Sequence, residues 1–282
     1  MLLDGKELAT KIKEDVKREI KELDFTPCLA TVLVGDDPAS KVYLQTKERA
    51  CTQVGIQSVS KTLPATAAKN DVIRAIEELN HNPSIHAILI QLPLPNHLDP
   101  KEIIEFIYPS KDVEGFHPLN MGRLVTEKKG IAPCTPSGII ELLKHYEIPL
   151  KSKDVTMIGH SIVVGKPMAL MLLKEWATVT ICHIETRDLA KHTKHADMII
   201  VAAGKPGLIT ANMIKEGAVI VDVGTTKVGD KIVGDVDFEC LKDKASAITP
   251  VPGGVGPMTV AMLMKNTVKC AKKVANHAEA SK

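Results

Sequence analysis

Short apolar runs alternate with helical periods along almost the whole of this chain, and that alternation limits the folds open to it more than any other feature. From Asp4, a residue placed to cap a helix start, the apolar positions Leu8, Ile12, Val16, Ile20 and Leu23 recur at helical spacing. Residues 29–34 read as a strand running into Gly35-Asp36-Asp37-Pro38, a capping residue followed by a proline suited to a first helical turn, and Gly55 stops the helix predicted from there. The pattern continues with a strand at 56–63, a helix at 71–79, a buried strand at 87–92 and a helix at 100–107. Residues 109–136 break it, being rich in Pro, Gly, Asn and Lys with no sustained period, so a domain junction is expected there. Beyond it Thr135-Pro136 opens another helix, strands are expected at 155–159, 178–182, 198–202, 219–223 and 247–249, and a last helix runs from Pro257 to about Val274. Such alternation builds parallel sheets covered by helices on both faces, so the predicted class is α/β, and 282 residues suffice for two lobes that each bury a core.

Charge narrows the partners. Lysine and arginine total 36 against 34 aspartates and glutamates, and the two signs interleave, as in Lys11, Lys13, Glu14, Lys17, Arg18 and Glu19, which marks a solvated helix face. No nucleic acid partner is expected. Cys28, Cys51, Cys134, Cys182, Cys240 and Cys270 are scattered and form no Cys-x-x-Cys pair, so no zinc cage and no metal requirement is expected. No apolar run approaches the roughly 18 residues of a membrane span, and Met1-Leu2-Leu3 gives way at once to Asp4-Gly5-Lys6, unlike a secretory leader. The expectation is a cytoplasmic protein with free thiols and no membrane partner.

Six stretches carry chemistry. Residues 250–259, Pro-Val-Pro-Gly-Gly-Val-Gly-Pro-Met-Thr, hold three prolines and three glycines between a strand and a helix, a stiff exposed main chain suited to facing a ligand, where an ordinary turn needs fewer special residues. The strand at 155–158 enters Gly159-His160-Ser161-Ile162-Val163-Val164-Gly165, a glycine-bearing turn into a helix whose N-terminus favours a diphosphate, although Ser161 replaces the middle glycine of the usual dinucleotide spacing. With the strands that follow, this reads as a doubly wound, Rossmann-like dinucleotide-binding pattern. Glu185, after the second of those strands, falls where a ribose diol is read; it either disfavours the extra phosphate of NADP, with Arg187 and Lys166 offsetting part of that repulsion, or simply points to solvent.

In the first lobe Tyr43 and Lys47 stand one helical turn apart on one face, an amine able to act as acid or base beside a phenol able to hold a water or a carbonyl oxygen. The alternative is surface decoration. Gln91 ends the buried strand and is placed either to meet the Lys47 amine or merely to cap the strand end. Glu114, in Lys111-Asp112-Val113-Glu114-Gly115-Phe116-His117-Pro118, offers a carboxylate to a donor-rich heterocycle such as an aminopyrimidinone, or belongs to a plain polar turn.

Taken in order, 34–40 with Tyr43 and Lys47, 91–95, 111–118, 159–167 and 250–259 resemble the bifunctional methylenetetrahydrofolate dehydrogenase/methenyltetrahydrofolate cyclohydrolase family over nearly the whole chain. Pro133-Cys-Thr-Pro136 and Asp222-Val-Gly224 add to the similarity. The resemblance implies an N-terminal α/β catalytic domain at 1–120, with a C-terminal helix at 258–282 packing back on it, a Rossmann-like NAD(P)-binding domain at 121–257, and a cleft between the lobes. It implies oxidation of 5,10-methylenetetrahydrofolate with NADP, then hydrolysis of the methenyl product to 10-formyltetrahydrofolate, by a homodimer acting on tetrahydrofolate derivatives.

Carried over by position, Lys47, Tyr43, Gln91 and Glu114 are the expected catalytic residues, and Tyr43, Leu92, Pro93, Glu114, Pro252 and Gly253 are expected to bind substrate. Gly159, His160, Ser161, Val164, Gly165, Ile184, Glu185, Gly204, Gly224, Thr225, Gly253, Gly254 and Thr259 are expected to bind the cofactor. Three departures from the family pattern stand out. Glu114 replaces an aspartate; Ile184 and Glu185 stand where a serine and a basic residue face the NADP phosphate; His160 and Thr225 stand where arginine and isoleucine are usual. They suggest NADP with reduced discrimination against NAD. The rival readings are another two-domain NAD(P) oxidoreductase resembling shikimate dehydrogenase, and a non-catalytic nucleotide-binding module.

Overall fold

The computed structural model describes residues 1–280, which fall into two units. The first comprises Lys11–Ala132 and the chain from Val260 onward; the second comprises Met1–Thr10 and Pro133–Thr259.

The chain enters the first unit within helix α1 (Gly5–Lys21) and continues through β1 (Cys28–Val34), α2 (Pro38–Val54), β2 (Gln57–Leu63), α3 (Lys69–His81), β3 (Ala87–Ile90), α4 (Pro100–Ile104) and α5 (Pro118–Val125). The three strands form a parallel sheet in the order β2-β1-β3, in register Ala30↔Val59 and Ala30↔Ile88. Alternate residues of β1, namely Cys28, Ala30, Val32 and Val34, join Ile88, Ile90, Val72, Ile76, Leu79 and Ile103 in one buried cluster, the two-residue period of a strand meeting the helical period of α3. Helix α2 is built as its sequence dictates: the Asp37 carboxylate accepts from the Ser40 amide at 2.7 Å, Pro38 sits in the first turn, and Gly55 ends the helix at φ +92°, a conformation that favours glycine. Its start lies beyond the carboxyl end of β1, which is where open parallel sheets present ligands.

Two expectations are corrected. Residues 109–136 do contain a helix, α5, opened by Pro118 with the His117 side chain accepting from the Leu119 amide; two turns are too few to show a period. The sheet is not covered throughout, because β2 is an edge strand with most of its side chains exposed.

In the second unit α6 (Cys134–His145) leads to β4 (Asp154–Ile158), α7 (Gly165–Lys174), β5 (Thr178–Cys182), α8 (Leu189–Thr193), β6 (Met198–Val201), β7 (Val219–Asp222), a hairpin of β8 (Thr226–Val228) and β9 (Lys231–Val233), α9 (Phe238–Leu241) and β10 (Ala247–Ile248). Five strands make a parallel sheet ordered β10-β7-β6-β4-β5, so the chain steps outward from β4 to β5 and then returns to β6 on the other side. That reversal between β4 and β6 is the switch point at which such sheets bind dinucleotides. The antiparallel hairpin β8–β9 was not expected from sequence, and neither was the use of the N-terminus as sheet edging: Leu2 bridges Ile248, and the Leu3 amide donates to the Ile248 carbonyl at 2.9 Å. Edge strand β5 is largely exposed, a second exception to full coverage.

The last helix, α10 (Val255–Ala280), begins in the second unit and continues in the first. Within the first unit its Asn266 amide donates to the Val113 carbonyl at 3.0 Å and to that of Ala132 at 2.9 Å. No helix among the described residues is long and apolar enough to cross a membrane.

Candidate active site

In the first unit three of the four expected catalytic side chains converge. The Lys47 ammonium, one turn past Tyr43 on α2, donates to Gln91 Oε1 at 3.0 Å, and Gln91 Nε2 donates to the Leu92 carbonyl at 2.7 Å. The second bond fixes the first, since a carbonyl only accepts; the amide is locked with its oxygen toward the lysine. Gln91 itself is 5% exposed, so the acceptor that Lys47 meets is rigid and dry.

Glu114 is the third member. The residue is half-buried, and desolvation pushes its carboxyl up to about 7, with the Lys47 ammonium opposing the rise and the Asp112 carboxylate adding to it. A carboxyl poised there can hold or release a proton near neutrality. Tyr43 is 49% exposed, available to a planar ligand over the same helix face. Leu92 is half-buried and Pro93, joined to it by a cis peptide bond, is exposed.

The loop carrying Glu114 is organised by residues whose role sequence reasoning missed. Asp112, 2% exposed, accepts through Oδ1 from the Gly115 amide at 3.0 Å and through Oδ2 from the His117 amide at 2.9 Å and Asn120 Nδ2 at 2.8 Å. Lys111, 4% exposed, donates to the carbonyls of Leu79, Asn80 and Asn82 at 3.1, 2.7 and 2.9 Å, a cation on the last turn of α3 and the residues just past it. An Asp three residues before a Gly is a local signal for such a side-chain-closed turn, and Asp112–Gly115 carries it.

The expected cofactor residues, with Pro252 and Gly253, belong to the second unit. Gly159 follows β4 at φ +114°, and a Cβ there would collide with the Ala202 carbonyl beyond β6, so only glycine lets the two loops close at the switch point. A Cβ on Gly165 would in turn strike Gly159, so α7 starts hard against that loop and its N-terminus faces the end of β4. Ser161 spends its hydroxyl within the loop, accepting from the Val164 amide at 3.1 Å, and Val164 is buried, so the cradle is main chain rather than side chain. A glycine-built cradle at a helix N-terminus fits the diphosphate of a nicotinamide dinucleotide.

At the end of β5 the rings of His160 and His183 lie 5.1 Å apart, and His183 Nδ1 accepts from the Glu185 amide at 3.2 Å. Ile184 is 93% exposed and Glu185 is exposed too. Gly204 is exposed at φ +65°, Gly224 is buried and Thr225 exposed. In the 250–259 segment the Gly253 carbonyl accepts from the Gly5 amide at 3.0 Å, and Thr259 Oγ1 lies 3.0 Å from Thr135 Oγ1. Gly253 and Gly254 are buried there and Pro252 is exposed. A Cβ on Gly5 would collide with the Gly254 carbonyl, so the N-terminal residues buttress this loop directly, a function that their helical period conceals.

Comparison with known proteins agrees with these features. Residues 3–114 match the catalytic domain of tetrahydrofolate dehydrogenase/cyclohydrolase, and residues 133–275 match its NAD(P)-binding domain. A bifunctional FolD protein of Nautilia profundicola is 56% identical over 97% of this chain and 98% of its own length. The crystal structure of the bifunctional methylenetetrahydrofolate dehydrogenase/cyclohydrolase of Campylobacter jejuni superposes with a TM-score of 0.94 at 52% identity, covering 97% of this chain and 99% of that one. A Trypanosoma brucei methylenetetrahydrofolate dehydrogenase-cyclohydrolase, solved with NADP and an inhibitor, gives a TM-score of 0.93 at 36% identity over 98% of both chains.

Proposed function

Because the chain belongs to the tetrahydrofolate dehydrogenase/cyclohydrolase family, we propose that it oxidises 5,10-methylenetetrahydrofolate with NADP and then hydrolyses the methenyl product to 10-formyltetrahydrofolate. The observation that carries this is the Lys47–Gln91 bond with Glu114 beside it, a proton-handling cluster in the part of the chain matched to the catalytic domain. The family match favours it over a shikimate-dehydrogenase-like enzyme or an idle nucleotide-binding module.

A nicotinamide dinucleotide held at the Gly159–Gly165 cradle would supply the hydride acceptor for oxidation of the methylene bridge. Glu114 accepts hydrogen bonds from the pterin amide edge and Tyr43 lies against the ring. In the second step a water adds to the methenyl carbon and the carbon–N5 bond breaks. Lys47 relays protons, its neutral amine taking one from the added water and its ammonium giving one to N5 as that bond breaks, while the net proton of hydrolysis leaves to solvent; Gln91 fixes its direction. The amides around Gly159 and Gly165 hold the diphosphate.

Mixing the purified protein with methylenetetrahydrofolate and each nicotinamide, and following the absorbance of the methenyl product, is expected to show rise and then decay. No methenyl product with either cofactor sinks the proposal. The exposed Glu185 and the His160–His183 pair support relaxed discrimination, so kcat/KM is expected to favour NADP by less than about a thousandfold, on the order of 4 kcal/mol. A larger preference refutes that electrostatic reading.

The protein acts as a homodimer in this reading. Edge strand β5 leaves Ile181 43% exposed, and Leu173 and Trp176 just before it are 55% and 76% exposed, an apolar edge that two copies can pair across a twofold axis. Sedimentation velocity is expected to give a dimer for the wild type and a monomer for Ile181→Lys; a monomeric wild type at micromolar concentration contradicts it.

A further inference from the structure

Two carboxylates of the second unit are buried among main-chain amides: Asp222, 2% exposed, at the end of β7, and Asp235, 0% exposed, just past β9. Asp222 accepts through Oδ1 from the amides of Gly224 and Asp235, each at 2.9 Å, and through Oδ2 from that of Val236 at 3.0 Å. Asp235 accepts through Oδ2 from the amides of Ala203 at 2.7 Å and Gly204 at 2.9 Å. Its Oδ1 is buried with no partner among the described residues. Glycines make the room: a Cβ on Gly224 would collide with the Asp235 carboxyl, and one on Gly234 with that of Asp222.

The result is one continuous tie, from the turn after β7 through Asp222 and Asp235 to the turn after β6. All five partners are N–H donors, so both side chains act as acceptors toward them, Asp222 doing so although burial pushes its carboxyl up. Tying two loops together does not by itself call for buried charge, since a neutral amide oxygen also accepts two N–H groups and costs less to bury. What the charge adds is strength at the Ala203 and Gly204 amides, because ionised acceptors make bonds roughly twice as strong as neutral ones.

Position says what that strength is for. A dinucleotide laid across the β4/β6 switch point with its adenosine toward β5 sends its other half over the carboxyl ends of β6 and β7. Those are the two turns that Asp235 and Asp222 hold. Resting on the NADP reading above, we propose that Asp235 is a positioning residue for the nicotinamide half of the cofactor, acting through the Ala203–Gly204 main chain.

The test compares wild type, D235N and D235A as full-length protein. Dissociation constants are measured for NADP and for adenosine 2′,5′-bisphosphate, which occupies only the adenosine half, together with the cofactor-independent hydrolysis of methenyltetrahydrofolate. D235N, which keeps an acceptor for both amides but without the carboxylate's charge, is expected to weaken NADP about tenfold, and D235A, which removes both contacts, more. Adenosine 2′,5′-bisphosphate binding and methenyl hydrolysis are expected to stay within about twofold, as for sites that do not share the lost contact. Wild-type NADP affinity in D235N overturns the proposal. So does a parallel loss of bisphosphate binding or of hydrolysis, which would make Asp235 a mere support of the fold. If D235A does not fold, D235N decides alone. A wild type that binds neither NADP nor the bisphosphate sinks the cofactor reading itself, whereas normal wild-type binding with unaffected variants sinks only the role of Asp235.

Discussion

A Lys47→Met protein is expected to fold, to bind NADP as the wild type does, and to hydrolyse methenyltetrahydrofolate some 10²- to 10⁴-fold more slowly, the range a positioned acid–base group supplies. That is about 3 to 5 kcal/mol of transition-state stabilisation. Methionine keeps an unbranched stem of similar length and lacks the ammonium, so the Gln91 oxygen loses its partner while Gln91 Nε2 stays on the Leu92 carbonyl. One unpaired acceptor at a partly open site costs about 1 to 3 kcal/mol, too little to unfold a domain of this size. Lys47→Arg sharpens the test. Arginine keeps the charge and can still donate to Gln91, but it does not release its proton in a protein, so it is expected to be nearly as slow as methionine. A Lys47→Arg enzyme with wild-type hydrolysis would reduce Lys47 to an electrostatic anchor. Wild-type rates in folded Lys47→Met would remove it from the reaction.

How much of this could be read from residues alone depends on how local each signal is. The Asp37 cap, Pro38 and Gly55 lie within or beside a single helix, and the structure places them as their chemistry demands. Gln91 meeting Lys47 was legible one level up, because a buried strand and the helix after its neighbour must share the carboxyl end of a parallel sheet. Asp235 was not legible. It acts on Ala203 and Gly204, 32 and 31 positions away, through a hairpin too short to show a period, and its sequence neighbours suggest only a polar turn. Gly5 was hidden for the opposite reason: the strong helical period around it masks a glycine required by the Gly254 carbonyl. Glu114 was found as a carboxylate in a loop, but its raised pKa depends on burial and on Asp112, which only the folded arrangement supplies.

That raised carboxyl makes the second large prediction. Glu114 titrates near 7 in the folded chain, against an ordinary glutamate value of 4.5, with burial the leading cause. Between those two pH values the native state holds a proton that the unfolded chain has released, so stability falls as pH rises through the window. The loss is complete above about 7 and absent below about 4.5, and at full size it is roughly 3 kcal/mol, since each pKa unit is about 1.4 kcal/mol. Glu114→Gln has no carboxyl to ionise, so its urea midpoint is expected to lose that part of the pH dependence and to exceed the wild-type midpoint at pH 8. Function should move the other way. Only the ionised carboxylate accepts two hydrogen bonds from the pterin edge, so the wild-type KM for folate is expected to fall as pH rises through about 7. In Glu114→Gln that KM should be flat with pH and raised roughly 10- to 100-fold above about pH 8, the cost of losing a charge-assisted bond. A folate KM that keeps its wild-type value and pH dependence in this variant would show that the pterin does not bind Glu114. A stability gain without a KM change would leave Glu114 as a buried acid with no part in recognition.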